Sequence, residues 1–391
     1  MKAYTNATVL DGLGNTYHNA TVLIDSEKII GVGEHITVPS DAETMDCEGH
    51  FVTPGIIDVH THLGVHEAGV GAEGRDFNET SSPVTPQIRA LDGINPREQG
   101  FQDAREAGVT TVQVMPGSAN VIGGEMVVLK TAGHVVDEML LRNPSGMKGA
   151  FGENPKRIHP KKTVTRMGVA STFRETLMKA QDYKTKKENG ELKDRDLGME
   201  NLIPVLEKKI PLRTHAHRAD DILTAIRIAK EFDLDLTIEH CTEGHLIAKE
   251  VAESGYQVSV GPTMSTRSKV ELADKGYHTL VELEKYNVPV SITTDHPVIG
   301  IEYLLTQVST AVKAGLSEEA ALRSITSQAA RHLGVDDRVG SLEEGMDADL
   351  VVWTKHPFDA YSEVVETVVN GQTVYSKEQK HNRLSQEQPT R

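Results

Sequence analysis

Cysteine is nearly absent from these 391 residues. Cys47 and Cys241 are the only two, far apart and in no metal-binding spacing. That excludes a disulfide-stapled scaffold and a cysteine-based zinc module, and it fits a reduced compartment. Long apolar runs are also missing, since none approaches the roughly 20 residues of a membrane span. The opening MKAYTNATVLDG lacks the apolar stretch of a signal peptide, so the expectation is a cytoplasmic protein. Basic charge falls short of acidic: 41 Lys and Arg against 57 Asp and Glu give a net charge of −16. A phosphate backbone or an anionic membrane surface needs the opposite balance, so neither is an expected partner. No repeat or low-complexity tract appears. What remains is an ordinary globular composition, 38% hydrophobic and 25% charged, with enough chain for a large core and a small molecule as the expected partner. A homo-oligomer is compatible with it.

Both ends of the chain read as short strands. AYTNATVLDG, ATVLIDSEKIIGVG and the segment around Met45 alternate apolar residues between Gly and Asp-Gly turns. ADLVVWT at 348–354 and ETVVNGQTVY at 366–375 do the same, with Asn370-Gly371 as a hairpin signal. Neither end is long enough to bury a sheet face alone, so the two are expected to combine. The middle alternates strand-like runs, including 108–115, 146–154, 210–217, 234–240, 256–262 and 288–295, with helical patterns. In one pattern Ile222, Ala225, Ile226, Ala229 and Phe232 share a face. In LSEEAALRSITSQAARHLG, Ser317 caps and Gly334 stops a single helix. Repeated strand–helix units over this length imply a parallel sheet or barrel. Residues 64–100 form a long Gly/Pro-punctuated loop, and 156–200 read as exposed helices.

The chemistry starts at His60-Thr61-His62, which ends the apolar run GIIDV. Residues two apart in a strand share a face, so the imidazoles project together, as two metal ligands must. His215 ends IPLRTHAH with His217 on its face, His240 ends LDLTIEH, and Asp295 ends VPVSITTD. Strand C-terminal ends meet at one face of a parallel barrel, where active sites sit. Histidines and an aspartate converging there suit zinc or a similar transition metal. Gly69–Gly74 matches the dinucleotide fingerprint only formally, because no strand leads into it and no helix opens from it.

PGIIDVHTHLG (54–64), THAH (214–217), EHCTEGH (239–245), TTDHP (293–297) and GSLEEGMDADLVVW (340–353) together resemble the amidohydrolase superfamily, imidazolonepropionase-like members above all. The resemblance covers essentially the whole chain. It implies an α/β fold: a distorted (β/α)8 TIM barrel over 54–340 and a small β-sandwich from 1–53 and 341–391. It implies one or two divalent cations, zinc first, with manganese, iron or cobalt as alternatives. His60 and His62 then match the ligands of the more buried ion, His215 and His240 those of the second, and Asp295 the ligand that also shuttles the proton. Glu153 in FGEN resembles a bridging carboxylate, and Lys148 is the alternative if carboxylated by carbon dioxide. His217 stands where several deaminases carry an acidic shuttle, and is expected to contact substrate or the developing oxyanion.

Four residues are candidate substrate contacts: His66 and Arg75 in the loop after the first strand, Asn120 in a small-residue loop that also holds Gly123-Gly124, and Arg267 beside Lys269 after the seventh strand. Glu243 and His245 are weaker candidates for the pocket lining, and alternation turns His296 away from it. The implied activity is hydrolysis of a C–N bond in a cyclic or linear amide by a metal-activated hydroxide. The alternatives are deamination of a nucleobase-like heterocycle, cleavage of Xaa-Pro-type dipeptides and a catalytically silent barrel scaffold.

Overall fold

The computed structural model describes residues 1–386. Two eight-stranded sheets organise it. The first draws on both ends of the chain, joining strands between Lys2 and Pro54 to Leu350–Trp353, Val364–Val369 and Gln372–Ser376. Strand Phe51–Pro54 is its seam, parallel to Lys2–Leu10 and antiparallel to Leu350–Trp353. Val22 and Ile24, and Leu350 and Val352, alternate into a core shared by the two termini. Neither set has that partner without the other, which is why the two ends combine.

The second sheet is the barrel, its strands adjacent in chain order: β1 (Ile56–Thr61), β2 (Val109–Val114), β3 (Ile122–Lys130), β4 (Leu140–Ala150), β5 (Leu212–Ala216), β6 (Leu236–His240), β7 (Gln257–Val260) and β8 (Val290–Ile292). Seven run parallel, and β3 runs antiparallel to β2 and β4. The connection over 115–121 is too short for a crossover, which takes about a dozen residues, so the chain reverses directly. Gly123 and Gly124, expected in a loop, therefore lie inside β3. A Cβ on Gly124 would sit 2.6 Å from the Ile88 carbonyl oxygen.

The barrel closes between β1 and β8. Buried Asp58 accepts hydrogen bonds from the hydroxyls of Thr293 and Thr294 at 2.5 and 2.6 Å and from the His60 N–H at 3.2 Å. The expected single helix over 317–333 is two, Glu318–Arg323 and Ser327–Leu333, capped as read by Ser317 and by Gly334 at φ 66°. The break has a physical reason: it frees the Ser324 and Ile325 carbonyls to accept from Ile292 in β8 and Ile57 in β1. Lys130, buried in β3, pairs with Asp347 at 3.1 Å and with Asp349, locking the barrel to the terminal sheet. Among the described residues no helix is long and apolar enough to cross a membrane.

Candidate active site

His60 and His62 leave the end of β1, His215 and His217 the end of β5, and all four are at most 6% exposed. Strict alternation would send His240 outward with Ile238, a core residue on the helix side of β6. Its φ of +73° breaks the alternation and turns the ring inward beside Glu239. Asp295 also adopts a left-handed φ, +53°. Backbone strain of this kind persists where surrounding structure over-determines it, and here it gathers at one place.

The rings meet closely. The centroids of His215 lie 4.5 Å from those of His217 and His240, and His60 lies 4.6 Å from His240. Asp295 Oδ1 stands 3.4 Å from His60 Nε2 and 3.2 Å from His62 Nε2. Ligand-type atoms of His215, His217 and His240 form one group within 4.8 Å, and those of His60, His240 and Asp295 form another.

Each ring is aimed by a second group. His62 Nδ1 lies 2.8 Å from the Met115 carbonyl and His240 Nδ1 2.7 Å from the Gly261 carbonyl. A carbonyl only accepts, so each Nδ1 carries the proton and each Nε2 presents a lone pair to the common space. His60 Nδ1 is held at 3.1 Å by Glu239. Glu239 is itself fixed by Ser259, Thr237 and His332. Burial pushes His215 and His217 well below the usual imidazole range, and burial with the neighbouring His60 brings His240 down to about 3. These rings are neutral at physiological pH. Burial alone would raise Asp295, but the surrounding His60, His62 and His240 rings outweigh it and hold the carboxyl well below the usual carboxylate range.

These residues fit a divalent cation. Both ring nitrogens of His215 are buried with no hydrogen-bond partner in the protein. Such unpaired groups cost on the order of 1–3 kcal/mol each unless something binds them. Lone-pair nitrogens with one carboxylate are the donor set of zinc and its neighbours.

The two bridge candidates differ in position. β4 ends at Ala150, and Gly152 at φ +85° turns the chain, so Glu153 starts a short helix. Its carboxylate accepts from the Glu271 N–H at 3.1 Å, and it belongs to neither ligand group. Lys148 points into the barrel, with Nζ 3.2 Å from His60 Nε2 and 3.0 Å from Met115 Sδ. Burial, partly offset by Asp295 and Glu239, brings its amine down to about 8.

Above this floor opens a cavity of about 1090 Å³. His62, His215, His217 and Asp295 face it from below, and His66, Arg75, Phe77, Arg157, Lys269 and Lys275 from the sides. His66 and Arg75 therefore lie where the sequence placed them. Asn120 and Arg267 do not line this cavity. The Asn120 amide donates to the Glu79 carbonyl and the Thr85 hydroxyl, and Arg267 donates to the Lys275 carbonyl. Glu243 accepts from the Ala219 N–H at 2.9 Å, and neither it nor His245 lines the cavity.

Three buried carboxylates escaped the sequence reading. Asp58 shares the inward face of His60 and His62, so alternation carried its signal. Glu239 was hidden by its neighbour: next to an inward His240, a regular strand would face it outward. Glu271 lies in an irregular stretch after β7, yet stands 3.9 Å from His215 and 3.8 Å from His217.

Residues 51–374 match the amidohydrolase family. The chain is 28% identical to the amidohydrolase tasK of Hapsidospora irregularis over 92% of its own length, and spans 40% of that longer protein. It is 26% identical to the imidazolonepropionase of Mesorhizobium japonicum, covering 89% of each chain. Among solved structures, an amidohydrolase from Thermotoga maritima matches with a TM-score of 0.94 and 44% identity, over 96% of this chain and 100% of that one. A Xaa-Pro dipeptidase with bound methionine matches in fold, with a TM-score of 0.61 and 18% identity over 96% of this chain and 99% of that one.

Proposed function

Because this chain belongs to the amidohydrolase family of C–N bond hydrolases, we propose that its substrate is a small cyclic or linear amide bearing an anionic group. The carrying observation is the convergence of His60, His62, His215, His240 and Asp295 on one space under the cavity, with unpaired imidazole nitrogens turned into it. These five residues would hold one or two divalent cations, zinc first among them. A bound cation supplies Lewis acidity and lowers the pKa of water to about 7.

Asp295, ionised and facing both β1 histidines, takes the proton from the attacking water and delivers it to the leaving nitrogen. His217, steadied by the Thr242 hydroxyl at 2.7 Å, faces the cavity and donates to the oxyanion that develops on the carbonyl. Lys148 rather than Glu153 would supply the carboxylate from β4. As a neutral amine its nitrogen would add to the carbon of carbon dioxide, one C=O bond opening to a carboxylate and the amine proton passing to water, which leaves a carbamate among the histidines; an ammonium there would repel cations. The anionic group pairs with the mouth. Arg75, Arg157, Lys269 and Lys275 line the cavity, and among the described residues Asp295 is the only carboxylate that does.

The test is hydrolysis by metal-loaded protein of Xaa-Pro dipeptides, N-acyl amino acids and cyclic amides with and without a carboxylate. Turnover confined to the anionic compounds is expected. Ammonia release from neutral heterocyclic amines, with every amide untouched, would contradict the proposal.

A further inference from the structure

A second group of metal-ligand side chains lies outside the cavity and takes no part in the chemistry above. His245 sits in the turn after β6, and Asp274 and His278 come from the stretch after β7. His245 Nε2 stands 2.9 Å from Asp274 Oδ2 and 3.3 Å from His278 Nε2, and Asp274 Oδ1 stands 3.8 Å from His278 Nε2. Tetrahedral zinc with bonds of about 2.0–2.1 Å sets its ligand atoms about 3.4 Å apart. The three observed separations bracket that value.

The orientation of His245 is fixed from behind. The Thr279 hydroxyl donates to the Thr242 carbonyl at 2.9 Å, so toward His245 Nδ1, also 2.9 Å away, its oxygen accepts. Nδ1 is therefore committed to the Thr279 hydroxyl, and Nε2 is the ring atom turned to the cluster. There Nε2 meets a carboxylate oxygen and a second imidazole nitrogen. A hydroxyl behind a ring, committing the far nitrogen, is how ligating histidines are aimed.

We propose that His245, Asp274 and His278 form a second metal site that takes a divalent transition metal of the zinc class, with water at its open fourth position. The site is structural. It ties the turn after β6 to the stretch that carries Lys269 and Lys275 along the cavity wall and Glu271 beside His215. It does not rest on the proposed reaction, because none of its residues faces the cavity.

The test is cobalt(II) and zinc(II) binding by full-length protein stripped of metal. Metal is counted per chain, and cobalt d–d absorption is recorded. His278→Ala is expected to bind one equivalent fewer than wild type, to lose one cobalt band set, and to keep the wild-type kcat at saturating metal. Asp274→Asn, an exposed and nearly isosteric change, should weaken the same equivalent without removing the fold. Zinc should raise the melting temperature of wild type more than that of either variant. Equal stoichiometry and superimposable cobalt spectra for wild type and both variants would overturn the site.

Discussion

On the cavity floor the histidines and Asp295 come from the ends of barrel strands, whereas at the mouth Arg75, Lys269 and Lys275 ride on loops and Arg157 on a short helix. The floor is buried and cross-braced. His60, His62 and His240 each have a second group fixing the far nitrogen, and Asp58 ties β1 to β8 beneath them. At the mouth, Arg75 and Arg157 are exposed. The difference separates two jobs. A metal site tolerates little positional error, so the proposed centre requires what the floor has, rigid strands with paired supports. A substrate group of variable length is met by long side chains on loops, which can be exchanged without disturbing the strands.

Changes on the floor should act on rate and metal content, and changes at the mouth on substrate affinity. The largest effect belongs to Asp295→Asn. It should lower kcat by roughly 10²–10⁴-fold with the circular dichroism spectrum unchanged. Turnover near wild type would remove Asp295 from its role. Lys148→Ala comes next, with loss of one floor cation by elemental analysis, whereas Glu153→Gln should keep the full count. The reverse pattern would return the bridge to Glu153.

Glu239→Gln disturbs the floor without touching a ligand position. Because outer partners of this kind tune metal affinity by about 10–100-fold, metal should bind that much more weakly at unchanged saturating kcat. At the mouth, a hydrogen bond to a charged group contributes roughly 1.5–3 kcal/mol. Arg75→Ala should therefore raise KM about 10-fold or more for an anionic amide and leave kcat close to wild type. A fall in kcat at constant KM would erase the contrast between floor and mouth.

The smallest effect on activity is expected far from both regions. Asp347 is held down to about 2, because Arg338, Lys130 and Lys28 together outweigh its burial. A depressed carboxylate stabilises the fold above its unfolded value near 4, and that contribution fades as pH falls through about 2. The stability gap between wild type and Asp347→Asn should follow that course in denaturant titrations and be flat from pH 5 to 8. A gap that widens below pH 4 would contradict it.

Much of the floor was legible in the chain because strand alternation and barrel geometry are periodic. His60 and His62 two apart, and His215 and His217 two apart, declare a shared face, and strand ends declare a shared layer. Alternation failed where the backbone left the extended region. The left-handed φ of His240 brings Glu239 and His240 inward together, which no period-two pattern shows. The same limit hid the turn at Gly152 that carries Glu153 off the strand line. Reversal of β3 was invisible because its residues suit either direction, and only the short connection forces the antiparallel course. At the mouth, Arg75 and Asn120 looked alike as loop polar residues. Their difference lies in partners: Asn120 spends its amide on Glu79 and Thr85, both supplied by a distant part of the loop.

The central claim, that the buried histidines and Asp295 form a divalent metal centre, is tested most directly by counting metal on the His278→Ala protein, in which the surface cluster contributes nothing. Purified from zinc-supplemented medium, this variant should carry two equivalents per chain, and Lys148→Ala added to it should leave one. Less than a tenth of an equivalent, with none taken up on reconstitution with zinc, cobalt or manganese, would contradict the account.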